Sequence, residues 1–128
     1  MKNLSDEEMQ ELDRKTNLKS AEKNQYIYFP NEPSKVVFFL KKGRIKIGTY
    51  SDDGKEIIKT ILYPGEVFGE MGVIGEDKRK DFAVAMDDET RMCTINVEEF
   101  KGMINRNPNL GLELTRNIGE KLRKIERR

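Results

Sequence analysis

The stretch Pro64-Gly65-Glu66-Val67-Phe68-Gly69-Glu70-Met71-Gly72 sets three glycines and two glutamates around a strand-like Val-Phe pair. A basic cluster, Lys78-Arg79-Lys80, follows within ten residues of Glu70. Glycine lets backbone approach a ligand closely, and the turn after it can aim several N–H groups at one anion. A carboxylate beside that turn accepts from hydroxyls, and an arginine holds a phosphate through two donors. These parts together suit a sugar phosphate, with Gly69, Glu70, Met71, Gly72, Arg79 and Lys80 as candidate ligand residues. Alone, a Gly-Glu corner reads as a hairpin turn with solvated charges, so the surrounding elements carry the decision.

The 128 residues suffice for one domain with a real core. Charges nearly cancel, with 24 Lys+Arg against 23 Asp+Glu, so there is no domain-wide electrostatic footprint for nucleic acid. Charged residues make up 37% of the chain and no apolar run reaches membrane-spanning length, which argues against a membrane role. The N-terminus lacks a signal-peptide pattern, leaving the cytoplasm as the expected compartment. There is one cysteine, Cys93, and no histidine. That set cannot hold an iron–sulfur cluster or the usual zinc ligands, and it lacks every histidine-based nucleophile pair. No metal site is expected. Cys93 lies in a strand-like run and reads as a buried structural thiol.

Ser5-Asp6-Glu7-Glu8 has capping-box spacing, so a helix is expected from Asp6 to about Asn17. From Gln25 to Asn96, short apolar or alternating runs are separated by turn residues at regular intervals. They are Gln25 to Phe29, Val36 to Leu40, Arg44 to Tyr50, Glu56 to Leu62, Phe82 to Met86 and Arg91 to Asn96. Such spacing predicts an all-β barrel or double-sheet roll, with Asp53-Gly54 as the sharpest hairpin signal. After Asn96 the period becomes helical. Val97 to Ile104 forms a short helix capped by Asn96, with Glu99 at its third position, and Asn107-Pro108 restarts a longer one. That helix carries Leu110, Leu114, Ile118, Leu122 and Ile125 on one face, opposite Glu113, Arg116, Glu120, Lys121 and Arg123. Leu110 and Leu114 are expected to pack on the β domain. Ile118, Leu122 and Ile125 follow the four-three spacing of a coiled-coil seam and predict a homodimer helix. The stripe continues to Arg128 without a cap, which suggests a longer parent protein. The reading therefore divides the chain into an N-terminal helix and lead-in (1–24), a β-roll with the phosphate-binding corner (25–96), and a short helix followed by the start of a dimerisation helix (97–128).

In that order the chain resembles the cyclic-nucleotide-binding domain of the Crp/Fnr type of bacterial transcription regulators. The resemblance covers roughly Leu18 to Arg128. It rests on Lys41-Lys42-Gly43-Arg44-Ile45-Lys46-Ile47, Asp53-Gly54-Lys55-Glu56, Pro64 to Met71, Phe82-Ala83-Val84-Ala85-Met86-Asp87, and Phe100-Lys101 followed by Ile104 and Asn107-Pro108. It implies a mainly β fold with flanking helices: a jelly-roll-like double-stranded β-helix followed by a long C-terminal dimerisation helix. The implied effector is small, cyclic AMP or cyclic GMP, with no catalysis. Glu70 would take the ribose 2′-hydroxyl, Gly69, Met71 and Gly72 would lie on the phosphate-binding backbone, and a downstream arginine would pair with the phosphate. Counting forward from Glu70 puts Lys80 at that position; counting back from Phe82 puts Arg79 there. Arg79 is preferred, because loops lose residues more easily than strands change register and arginine suits a bidentate contact.

The pattern also departs from the family. Lys80 or Asp81 stands where a Ser or Thr is usual, and Asp81 could pair with Arg79 and occupy the site itself. Ile125 offers no hydrogen bond where the base would be read. Asn31 replaces a usual glycine and tolerates the left-handed conformation. These departures sustain an alternative, a structural dimerisation module with a degenerate pocket. A cupin-type enzyme is disfavoured because its metal needs histidines. DNA contact is expected only through a domain that these residues do not contain.

Overall fold

The computed structural model describes residues 3–126. Helix α1 (Asp6–Lys15) begins as the spacing predicts. The Ser5 hydroxyl accepts from Glu8 N at 3.2 Å, and the Glu8 carboxylate accepts from Ser5 N at 2.8 Å. The chain then enters a strand, β1 (Asn17–Ala21), inside the segment read as a lead-in. Only Ala21 of this strand is buried, so it carries no alternating apolar signal. Its place is fixed by backbone pairing with β8 instead.

Strands β2 (Tyr26–Tyr28), β3 (Val36–Lys42), β4 (Ile45–Tyr50), β5 (Glu56–Leu62), β6 (Val67–Phe68), β7 (Phe82–Ala85) and β8 (Thr90–Asn96) follow. They form two antiparallel four-stranded sheets, ordered β1-β8-β3-β6 and β2-β7-β4-β5. This is a jelly-roll-like β-roll. The β4–β5 hairpin turns at Gly54, whose φ of +82° is the conformation that the Asp-Gly signal anticipates.

Strand β3 explains why Val36-Val37-Phe38-Phe39-Leu40 is apolar without alternation: both of its faces are covered. Phe38 and Leu40 join Tyr28, Ile45, Ile47, Leu62, Phe68 and Met92 between the two sheets. Val37 and Phe39 join a second cluster with Val67, Ile95, Phe100, Met103, Leu110 and Leu114 beneath the helices. Cys93 is half-buried at the margin of that second cluster, less enclosed than its sequence context predicts.

Helix α2 (Val97–Arg106) is capped by Asn96, whose side chain accepts from Glu98 N at 2.8 Å. Glu99 points elsewhere and lies 3.7 Å from Lys15 of α1. Helix α3 (Pro108–Glu126) starts at its proline. Leu110 and Leu114 pack on the domain as expected. Glu113, assigned to the solvent face, is buried instead, and its carboxylate accepts from Arg116. No helix among the described residues is long and apolar enough to cross a membrane.

Phe100 is fully enclosed, and its ring meets Phe39 edge-on at 5.7 Å, joining α2 to β3. Phe100→Ala should cost about 3–5 kcal/mol of unfolding free energy. In urea denaturation this should appear as a lower midpoint with an unchanged slope.

Candidate ligand-binding site

Between β6 and β7 the chain makes a single turn of 3-10 helix, Glu70–Ile74, entered through Gly69 at φ +70°. A Cβ at Gly69 would lie 2.9 Å from both Arg79 Nη1 and the Phe38 ring, so the position excludes side chains on two counts. Beyond the turn, the backbone of residues 77–79 is paired with the turn that precedes β3. Asn31 N donates to Arg79 O at 2.8 Å, Arg79 N to Glu32 O at 2.8 Å and Ser34 N to Asp77 O at 2.9 Å. Asn31 adopts φ +72°, the left-handed conformation its side chain tolerates. This pairing settles the register, burying Arg79 and leaving Lys80 exposed at the cavity's edge.

Arg79 is 4% exposed. Its Nη1 donates to Gly69 O at 2.7 Å and its Nη2 to Val36 O at 2.6 Å. The guanidinium lies 4.3 Å over the Tyr28 ring, which in turn packs against stacked Phe38 and Phe68. Its Nε is buried and has no hydrogen-bond partner among the described residues. No carboxylate forms an ion pair with it there either. Asp81, the residue that could have occupied this cation, lies 3.6 Å from Lys59 instead.

Arg79 and Glu70 line a cavity of about 350 Å³. Gly69, Met71, Lys80 and Asp81 line it as well, together with Tyr28 and Lys59 from the strands and Ile118, Lys121, Leu122 and Ile125 from α3. Gly72 does not: it packs on the far side of the turn, where a Cβ would clash with the Ser34 carbonyl. The seam residues Ile118, Leu122 and Ile125 thus wall the pocket of their own domain, although Leu122 remains half-exposed.

Sequence reasoning missed Lys121, which it placed in solvent. Its side chain is 15% exposed and its ammonium pairs with the buried Glu70 carboxylate. The clue was present: Lys121 follows Ile118 by three positions and precedes Ile125 by four, so it shares their face. Of the charges lining the cavity, Lys59 lies beside Asp81 and Lys121 pairs with Glu70, while the half-buried Glu76 and the exposed Lys80 complete the set. Among the described residues Arg79 is the buried cation of this lining without an ion-pair partner. A single anionic group beside a hydrogen-bonding carboxylate would suit such a site.

Two neighbours have shifted protonation. Burial pushes the Tyr28 hydroxyl well above its ordinary value, and the Asp81 charge adds to this, so Tyr28 stays neutral beneath the guanidinium. Burial also raises Asp81, against the lowering pull of Lys59 and Lys121.

Fold and site together define a β-roll domain with a charged cavity beneath its C-terminal helix. Residues 18–107 match the cyclic nucleotide-binding domain family, and the chain belongs to it, with Crp/Fnr-type homologues. It is 27% identical over 111 residues to the global nitrogen regulator of Nostoc sp., covering 85% of this chain and 49% of that protein. It is 26% identical over 96 residues to the cAMP-activated global transcriptional regulator CRP of Haemophilus influenzae, covering 75% and 43%. The crystal structure of the Thermus thermophilus catabolite activator protein superposes with a TM-score of 0.85 at 23% identity, covering 98% of this chain and 58% of that one. The chain spans less than half the length of these two sequence relatives.

The raised pKa of Asp81 gives a signed pH dependence. A carboxyl raised on folding holds its proton longer in the native state, so its penalty is absent below the ordinary carboxylate range and complete above the folded pKa. Asp81→Asn should therefore raise the melting temperature at pH 7, and the gain should vanish as the pH falls below about 4. Thermal melts of both proteins across that range check it.

Proposed function

We propose that this chain is a non-catalytic effector-sensing domain that takes a cyclic nucleotide monophosphate in the cavity beneath α3. The supporting observation is Arg79, a buried guanidinium held by two carbonyls and an aromatic ring without a carboxylate partner. A buried cation in that state is costly, and one phosphodiester charge would neutralise it through two charge-assisted bonds. A ribose 2′-hydroxyl would donate to Glu70, and Met71 and Lys80 would border the ligand. The base would lie against Ile118, Leu122 and Ile125, which are apolar and so favour a flat ring without fixing its identity.

In this reading α3 carries the signal. Its stripe walls the pocket and leaves Leu122 half-exposed for a second copy, so ligand contact and homodimer geometry share the same residues.

One observation favours the second reading, a dimerisation module that binds no nucleotide: Glu70 is already engaged by Lys121. Calorimetric titration with cyclic AMP and cyclic GMP separates the two. Saturable binding should weaken at least tenfold in Glu70→Ala, and a loss of about 2–5 kcal/mol is expected in Arg79→Ala, where a buried charge pair would be truncated. An absence of heat with either nucleotide at millimolar concentration would favour the structural module.

A further inference from the structure

We propose that Lys121 is a built-in competitor for the ligand: its ammonium occupies the carboxylate that a ligand hydroxyl must reach, so binding at Glu70 requires the last turns of α3 to let go. The inference rests on the pocket reading above and names the contact through which α3 would sense occupancy.

Two ion pairs fasten α3 to the Gly-Glu corner. Lys121 takes Glu70, inside the cavity, with the two side chains 15% and 6% exposed. Lys124 takes Glu66, at 3.0 and 3.2 Å to its two carboxylate oxygens, and also donates to Ile61 O at 2.8 Å. The lysines are three apart on the helix and the glutamates four apart along the corner, so the helix lies along the corner and grips it twice. Only the first grip involves residues that line the cavity. Lys124 and Glu66 can therefore stay paired whatever the pocket holds, while Lys121 cannot keep its full hold on Glu70 once a hydroxyl arrives. A ligand with an anion for Arg79 but no hydroxyl donor for Glu70 would leave the Lys121 contact, and α3, in place. Lys121 would thereby couple the release of α3 to ligands that carry both groups.

The test has a ligand-free arm and a ligand arm. In the ligand-free chain, Glu70→Gln should raise backbone hydrogen exchange over residues 119–126 on the order of tenfold, and adding Lys121→Gln should raise it no further, since both changes remove the same contact. Unchanged exchange in Glu70→Gln, or fully additive effects, would overturn the proposal. In titrations with cyclic AMP and cyclic GMP, Lys121→Gln should bind whichever nucleotide the wild type binds on the order of tenfold more tightly, the competing cation having gone. Equal or weaker binding would overturn it. Lys124→Met should loosen α3 without tightening binding; an equal gain there would mean general loosening and would sink the competitor role. If neither the wild type nor Lys121→Gln binds a nucleotide, the function proposed above fails, and the exchange arm alone decides whether the latch exists.

Discussion

The burial of one guanidinium organises the site and much of the roll around it. Arg79 sits 4% exposed without a carboxylate partner, a state that costs several kcal/mol unless the surroundings supply compensation. Each compensation traces to a separate part of the chain. Gly69 takes a left-handed conformation and turns its carbonyl to Nη1. Val36 opens β3 beyond its two-residue pairing with β6, and its carbonyl accepts from Nη2. Tyr28, from the opposite sheet, provides the ring beneath. The turn before β3 pairs with the backbone of Arg79 and holds its register. Together these contacts use part of the guanidinium's donor capacity and none of its charge.

The same arrangement ties the pocket to the helices. Phe38 packs toward Arg79 from one face of β3, and Phe39 packs toward Phe100 from the other. A strand covered on both faces packs the pocket floor directly against the bed of α2 and α3. The far end of α3 meets the domain through the Lys121 and Lys124 ion pairs and through Ile118 and Ile125, which line the cavity. Salt bridges at that end are directional and replaceable, unlike the packing at Leu110 and Leu114.

The fold was largely legible because most elements announce themselves. The capping box at Ser5, the Asp-Gly hairpin and the apolar run of β3 each correspond to a local physical requirement that the structure meets. Strand β1 was not legible, since four of its five residues are exposed and its pairing with β8 is long-range. At the site, Glu70 and Arg79 could be marked from spacing, but the choice of Arg79 over Lys80 depended on a strand register that only the pairing with the Asn31 turn fixes. Gly72 lies against Ser34 and outside this cavity's lining; sequence cannot say which neighbour a missing Cβ makes room for. Lys121 and Glu113 were misplaced for one reason. Charged residues on a long helix were assigned to solvent, whereas each is buried against an opposite charge, one from another element and one from the next turn.

The position of Lys121 also bears on why the family's pattern is altered here. With Ile125 at the end of the stripe, α3 offers no hydrogen bond to a base, so a ligand gains little selectivity from that wall. Under the proposed function, selectivity would come from the polar end, where Arg79 would take an anion and Glu70 a donor able to replace an ammonium. A cation already seated on Glu70 would raise that threshold, because the incoming hydroxyl must outperform a charge-assisted contact at a carboxylate only 6% exposed. Weak mimics with only a phosphate would bind without disturbing α3, and only a ligand bearing both groups would move it. On this argument discrimination and signalling are one event, set by which partner Glu70 accepts.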